Sequence, residues 1–342
     1  ILDVATGTAD LAIELIKIPQ ASVVGVDISQ GMLDFGQIKL NQKQITNRDW
    51  AELIILATIW GGVFLATALT PRDLPVFTTV AGRVAGGAIV LWAYVLIRRF
   101  PLRIGRAELV GFAGMGVLNN VIPFVLMAWG QTHIESSLTA IFNASTAFFG
   151  VLVAAALLRG ERLSARKGLG VLVGLGGVIV AIGPESLRQF DLRSLAQLAV
   201  VAGTISYAFA GVWARTNLSH LRPEVAAAGM LGAAALIMVP LAVAYDGPPS
   251  HMPAVSSLAA LGYMMVVATA GAYLLYYRIL ARAGSGNLML VTLLIPPVAI
   301  ILGALVLHEA LPLRSYVGLA LLSLGMVVLD GRVARRLRGL KH

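Results

Sequence analysis

One arginine stands inside a long apolar stretch. Arg83 lies in TTVAGRVAGGAIVLW, with no other charge for nine residues on either side. A cation held in apolar surroundings is costly to bury and is usually retained for a function. Three readings suit it: an anchor for a substrate carboxylate, a gate residue bonded to a carbonyl, or a side chain that snorkels to an interface. It sits about two turns from one end of its run, roughly 10 Å deep at 1.5 Å per residue. Amides and hydroxyls recur beside helix breakers elsewhere. Asn119 and Asn120 precede Pro123, and Asn143 is followed by Ser145 and Thr146. Thr292 comes one turn before Pro296 and Pro297. A proline frees a carbonyl, and a nearby amide can bind that carbonyl or a ligand. Ordinary hydrogen bonding between helices is the other use of such residues. Aromatic rings accompany them: Trp60, Trp129, Tyr207, Trp213, Tyr263, Tyr273, Tyr276 and Tyr277. Trp60 and Tyr207 fall deepest, whereas Tyr276 and Tyr277, beside Arg278, are expected in an interfacial belt.

These types bind; they do not make or break bonds. The candidate substrate-binding set is Trp60, Arg83, Asn119, Asn120, Trp129, Asn143, Ser145, Tyr207, Tyr273, Thr292 and Pro297. No catalytic residue is expected. The five histidines fall in loops or near the ends of apolar runs and lack metal-ligand spacing, so no metal is expected either. Glu52, Glu108 and Asp330 lie near run ends. A mid-membrane carboxylate that exchanges protons for a lipophilic cation therefore has no candidate. A neutral or zwitterionic substrate is favoured.

Ten apolar runs must position these groups: 50–69, 76–97, 108–130, 136–158 and 167–182, then 195–214, 223–244, 255–281, 286–307 and 313–329. Most approach the ~20 apolar residues that a bilayer-spanning helix needs. Hydrophobic residues make up 58% of the chain and charged residues only 13%, which excludes an ordinary water-facing surface. The net charge of +9 is read as loop charge at a lipid surface, with no nucleic-acid partner. Cysteine is absent, which excludes disulfide and thiolate chemistry.

Basic residues fall mainly in alternate loops. One set holds Arg98, Arg99, Arg103, Arg106, Arg159, Arg162, Arg166, Lys167, Arg215, Arg222, Arg278 and Arg282, and continues into the tail at 333–342. The other set holds Arg72, Arg188, Arg193 and Arg314. The first set is therefore expected in the cytoplasm, with both ends of the ten-helix unit inside a cell inner membrane.

The chain also repeats itself. Residues 137–170 and 285–318 align with Ser137 on Ser285, Glu161 on Glu309, Leu163 on Leu311, Arg166 on Arg314 and Gly170 on Gly318. Five helices per copy is an odd number, so the second copy enters the membrane from the opposite side. Inverted repeats of this kind suit alternating access. The expected fold is an all-α polytopic membrane protein, with repeats over residues 46–183 and 194–332.

The motifs resemble those of the EamA-type transporters of the drug/metabolite transporter superfamily. Ala57-Thr58-Ile59-Trp60-Gly61-Gly62 looks like that family's first-helix Trp-Gly motif. Arg159-Gly160-Glu161-Arg162-Leu163-Ser164 looks like its Gly-Glu-Arg-Leu turn, and His308-Glu309-Ala310-Leu311 is a degraded copy. Arg83 and Pro296-Pro297 also match family positions, while Ser206-Tyr207-Ala208 replaces a second Trp-Gly and Asn143-Ala144-Ser145 stands where a proline is common. The resemblance covers about residues 48–332. It implies a carrier of small molecules: amino acids, nucleotide sugars, other metabolites or drugs. Amino-acid export by alternating access is the leading expectation.

Residues 1–45 are different. Their ILDVATGTADLAIELIK and VVGVDIS pattern reads as strand, turn, helix, strand, helix. It resembles the start of the S-adenosylmethionine methyltransferases of ubiquinone and menaquinone biosynthesis. By that resemblance Gly7 and Asp27 match cofactor-binding positions, and Ala9 stands where a glycine is usual. The strands that would complete such a sheet never follow. A non-catalytic appendage, from fusion or artefact, is expected, and a membrane-tethered methyltransferase is the alternative. No bound cofactor is expected, and no signal peptide is visible in these residues. Gly170, Gly174, Gly176 and Gly177 make a small-residue face for packing within the fold or between two copies, so the chain is expected to act as a monomer or homodimer.

Overall fold

The computed structural model describes residues 2–4, 24–26, 46–70, 73–102, 104–158, 161–183, 191–247, 252–283, 288 and 290–330. It contains two compact units, residues 1–53 with 278–290, and residues 54–277 with 291–342.

The apolar runs fold as helices because a backbone in hydrocarbon must satisfy its own hydrogen bonds. They are α1 (Asn47–Leu69), α2 (Val76–Ile97), α3 (Arg106–Gly130), α4 (Ser136–Leu157) and α5 (Ala165–Ile182). The second set is α6 (Leu192–Asn217), α7 (Pro223–Tyr245), α8 (Val255–Ile279), α9 (Val291–Val306) and α10 (Leu313–Asp330). Among the described residues, nine are long and apolar enough to cross a bilayer, and α9, at 16 residues, is shorter. Large apolar side chains such as Ile89, Leu172, Leu236 and Leu305 face outward, as lipid contact requires. The chain is a multi-pass membrane protein.

Helix ends differ from the apolar pattern where polar residues extend them. The α6 helix starts at Leu192, three residues before the apolar run, because the Asp191 carboxylate accepts from Ser194 N (2.8 Å). That bond depresses the Asp191 pKa from its ordinary value, and the Ser194 hydroxyl adds to the effect. Helix interiors hold a larger surprise. The α3 helix contains a π-helical segment at Gly116–Val121, and α8 contains another at Tyr263–Gly271. The two match at the same 148-residue offset that aligns Glu161 with Glu309. The α4 helix divides into Ser136–Asn143 and Thr146–Leu157, as its polar pair suggests. The expected break in α9 is corrected: Pro296 and Pro297 lie inside one continuous helix. Each proline removes a donor without forbidding helical φ, and neighbouring helices tolerate the loss.

In the second unit, equivalent helices pack antiparallel. At the first turn of α2, Thr78 N donates to Asp246, which follows the last turn of α7 (2.6 Å). At the first turn of α5, Arg166 Nη1 donates to Leu329 O near the end of α10 (2.7 Å). Glycines let α5 and α10 touch backbone to backbone: a Cβ on Gly177 would stand 2.6 Å from the Gly318 carbonyl oxygen. One apolar core gathers α2, α3, α6, α7 and α8 around Val84, Leu91, Leu231 and Met238. Another gathers α3, α4, α5, α6 and α10 around Phe142, Phe148, Val200 and Leu322.

The first unit holds strands β1 (Leu2–Val4) and β2 (Val24–Val26), paired in parallel with Leu2 opposite Val24. Gly7 and Asp27 lie outside the described residues, as do Arg159, Gly160 and the tail. At the start of α1, Asp49 and Glu52 share Arg282. Its Nε reaches Asp49 at 2.7 Å and its Nη2 reaches Glu52 at 2.6 Å.

Candidate functional site

The π segments of α3 and α8 turn polar side chains toward Arg83. A π turn bonds each N–H five residues back and is frequent at functional sites. In α3 the bond from Ile122 N runs to Val117 O. The next donor in that register would be Pro123, which has none, so Leu118 O is left over. Ser206 of α6 fills the gap: its Oγ donates to Leu118 O at 2.7 Å. In α8, Tyr263 OH donates to Ile59 O of α1 at 2.6 Å.

Arg83 lies between these segments. Its Nε donates to Thr269 Oγ1 of the second π segment (3.3 Å), and its guanidinium lies 3.8 Å above the Phe124 ring. The phenols of Tyr207, Tyr273 and Tyr263 are within electrostatic range of the guanidinium. Among the described residues no carboxylate pairs with it. A cation in low dielectric without a counter-ion is expensive unless polar groups or a ligand compensate it. Cation–π contact and a long hydrogen bond compensate only in part.

The amides complete the cluster. Asn119 Nδ2 donates to Tyr273 OH at 3.1 Å and lies 3.9 Å from Met230 Sδ. Asn120 is fully buried, and neither end of its amide meets a hydrogen-bond partner. It lies near the Tyr273 hydroxyl without the alignment of a hydrogen bond. An unpaired buried amide costs roughly 1–3 kcal/mol, and such a residue in a native protein calls for a partner.

Five of the eleven candidate substrate-binding residues therefore come together: Arg83, Asn119, Asn120, Tyr207 and Tyr273. Trp60 joins through aromatic rings. Its ring lies 5.7 Å from Tyr276, which meets Tyr277 edge-on at 5.3 Å, and Tyr277 stacks on Tyr273 at 6.1 Å. Tyr277 packs against the first apolar core, and the Tyr276 ring meets it edge-on. Other residues sit elsewhere. Ser145, at the division of α4, meets Thr204 of α6 at 3.1 Å, and Asn143 ends the first α4 segment. The Trp129 ring meets His133 at 4.9 Å in a tilted arrangement. Thr292 and Pro297 lie in α9, which packs against the first segment of α4.

Thr269 and Phe124 are site residues that the sequence reading missed. Each looks like routine helix filler in the chain. The signal was positional: Thr269 falls 148 residues after Val121, inside the repeated π segment. No cluster of metal-ligating side chains occurs among the described residues. The site offers one guanidinium, three phenols, two amides and a wall of rings, a set suited to holding a small molecule with a carboxylate and an apolar body.

Comparison with known proteins agrees with this architecture. The EamA-like transporter family matches residues 50–183 and again 194–329. A methyltransferase domain family matches residues 1–58. An uncharacterized transporter of Bacillus subtilis, YoaV, is 21% identical over 83% of this chain and 97% of its own length. An Escherichia coli protein named "probable amino-acid metabolite efflux pump" is 22% identical over 83% of this chain and 95% of its own. A Streptantibioticus cattleyicolor protein named "probable terminal-alkyne amino-acid exporter" is 26% identical, covering 84% and 95%. One crystal structure shares the fold with a TM-score of 0.60 at 21% identity, over 82% of this chain and 97% of that one. With two matched copies spanning most of its length, the chain belongs to the EamA-like transporter family.

Proposed function

We propose that this transporter exports amino acids and similar small metabolites across the cell inner membrane. It does so by alternating access, through the site around Arg83. The observation that carries the proposal is the unpaired charge: a guanidinium held among Thr269, Phe124, Tyr207, Tyr263 and Tyr273 with no carboxylate partner among the described residues. A substrate carboxylate would supply the missing anion, and the Asn120 amide and the phenols would supply hydrogen bonds. Trp60, Trp129, Asn143, Ser145, Thr292 and Pro297 are proposed to line the path on either side. Two relatives bear amino-acid exporter names, which favours that substrate class.

The basic loops are proposed to face the cytoplasm, with both ends of the ten-helix unit inside. No enzymatic step is needed in this reading. The test is efflux from proteoliposomes loaded with labelled amino acids, with an Arg83→Met variant as control. Protein-dependent efflux that the variant loses supports the proposal. Absence of flux for every amino acid tried, with folded protein in the bilayer, overturns the substrate class.

A second reading has one observation of its own. Strands β1 and β2 pair in parallel, and residues 1–58 match a methyltransferase domain family. Calorimetric titration with S-adenosylmethionine tests it. Heat of binding that Asp27→Ala removes would favour methyl transfer at this end of the chain.

A further inference from the structure

Like α7, which opens on Pro223, the helices α2, α4 and α8 of the second unit start without a capping side chain of their own. The residues before α2, α4 and α8 are Pro75, Glu135 and Ala254, and none caps its helix. A helix start leaves N–H groups without partners, and they must be met from elsewhere. Each of α2, α4 and α8 takes a carboxylate from the opposite repeat. Asp246 Oδ2, after α7, accepts from Thr78 N (2.6 Å) and Thr78 Oγ1 (2.7 Å) at the start of α2. Asp73 Oδ2, after α1, accepts from Ser257 Oγ (2.6 Å) and Ala254 N (3.3 Å) at the start of α8. Glu309, before α10, accepts from Ser136 N (2.7 Å), Ser137 N (3.0 Å) and the Ser137 hydroxyl at the start of α4.

The other end of the same unit is linked differently. There α3 and α5 carry their own caps, through Glu108 to Gly105 N and Ser164 to Lys167 N. Links between repeats at that end use long basic or imidazole side chains: Arg215 on Glu161 (3.0 Å), His220 on Glu108 (3.0 Å) and Arg166 on Leu329 O (2.7 Å). A link of that kind also occurs beside the start of α4, where Arg193 of α6 meets Glu135 (2.7 Å), and the carboxylates on helix starts are added to it. The contrast has a physical cause. The loops at the α2, α4 and α8 starts hold few basic residues, so helix N-termini provide the positive partner for a carboxylate. Four of the seven contacts are to main-chain N–H groups, which move only with their helix.

We propose that Asp73, Asp246 and Glu309 form the latch that holds the two repeats closed at the outer end of the transporter. The proposal rests on the alternating-access reading, since a latch matters only if that end opens. Glu309 also walls a cavity of about 390 Å³ with Gln131, Thr132, Ser136 and Leu307, so one of the three contacts lies beside open volume at the end where substrate would leave. Opening withdraws three carboxylates from three helix starts, and closing restores them.

The cysteine-free chain permits a direct test. Ser206→Cys places a single thiol beside the central site, where Ser206 is buried. Right-side-out vesicles are treated with a membrane-impermeant thiol reagent. Replacing Asp73, Asp246 and Glu309 together by alanine should raise the labelling rate roughly tenfold, a shift of about 1.4 kcal/mol toward the open state. Asp73→Asn, Asp246→Asn and Glu309→Gln keep an acceptor oxygen and should label near the parent rate. Static caps would lower thermal stability in the alanine variant without changing labelling, and that result overturns the proposal. So does faster labelling from the opposite face alone. If the triple variant does not fold, each single alanine variant should still label faster, and parent rates in all three overturn the latch. Labelling does not depend on which molecule is carried, so a wrong substrate class leaves this result intact.

Discussion

Arg166 and Arg314 mark opposite ends of one antiparallel helix pair. Arg166, in the first turn of α5, reaches the Leu329 carbonyl near the end of α10. Arg314, in the first turn of α10, lies against Gly183, which ends α5 with φ of 83°. The two arginines are repeat equivalents, 148 residues apart, so the duplication has turned one copy over. The helices are 18 residues each, or about 27 Å long at 1.5 Å per residue, close to the hydrocarbon thickness. Cysteines placed singly at 166 and 314 should therefore react with an impermeant reagent from opposite sides of the membrane. Labelling of both from the same side would contradict the inverted repeat and the transport cycle built on it.

The α5–α10 seam should not tolerate side chains. A Cβ on Gly325 would stand 2.6 Å from Gly174 N, and on Gly318 2.6 Å from the Gly177 carbonyl oxygen. Both obstacles are backbone, which cannot rotate away. Gly325→Val should cost about 1–3 kcal/mol or more, as overpacking does. Gly176→Val has open space at its Cβ and should cost far less. Thermal unfolding in detergent compares the two variants, and equal melting temperatures would argue against the close approach.

Much of this arrangement could be read from the chain, and the reasons are local. The apolar runs announce apolar helices, because hydrocarbon penalises charge and open backbone at every position. Repeat equivalence was legible at Glu161 and Glu309 because polar turns keep their pattern. Asn119, Asn120 and Pro123 betray a disturbed helix, since amides and a proline have no reason to cluster in a regular one. The π segment of α8 was not legible: its YMMVVATAG carries no proline or amide, and nothing local sets it apart from a regular helix. Thr269 and Phe124 were missed for the same reason. Pro296 and Pro297 misled in the other direction, because a proline pair reads as a break while packing holds α9 straight through it.

Glu161 gives the acid limb of stability a molecular source. Arg215 donates a charged hydrogen bond to it and Lys167 lies at 3.4 Å, which together hold the Glu161 pKa below its ordinary 4.5. A carboxylate with a depressed folded-state pKa stabilises above its unfolded value and loses that contribution as pH falls through the folded value. Glu161→Gln should thus lower the melting temperature between pH 5 and 8 by a small amount, because the pair is partly solvated. The difference from the parent should shrink below about pH 4.5. A gap that stays constant down to pH 3 would show that the Arg215 link contributes nothing.

Arg83 is the residue whose replacement separates anchoring from snorkelling. A snorkelling side chain needs length and charge, so lysine would serve in its place. An anchor needs the planar fork that grips a carboxylate with two bonds and sits over Phe124, and lysine does not provide that fork. Arg83→Lys should then reduce amino-acid flux by about tenfold or more, the effect of losing roughly 1.4 kcal/mol of recognition. Arg83→Met should abolish it. Thr269→Val removes a single hydrogen bond of 3.3 Å and should reduce flux only a few-fold, by letting the guanidinium drift. The most informative measurement is competition: a decarboxylated analogue of the transported amino acid should compete poorly with the parent protein, and the Arg83→Lys variant should lose much of that preference. A variant that carries amino acid and amine in the parent ratio would show that the guanidinium never meets the substrate, and the site would have to be sought around Ser145 and Thr204 instead.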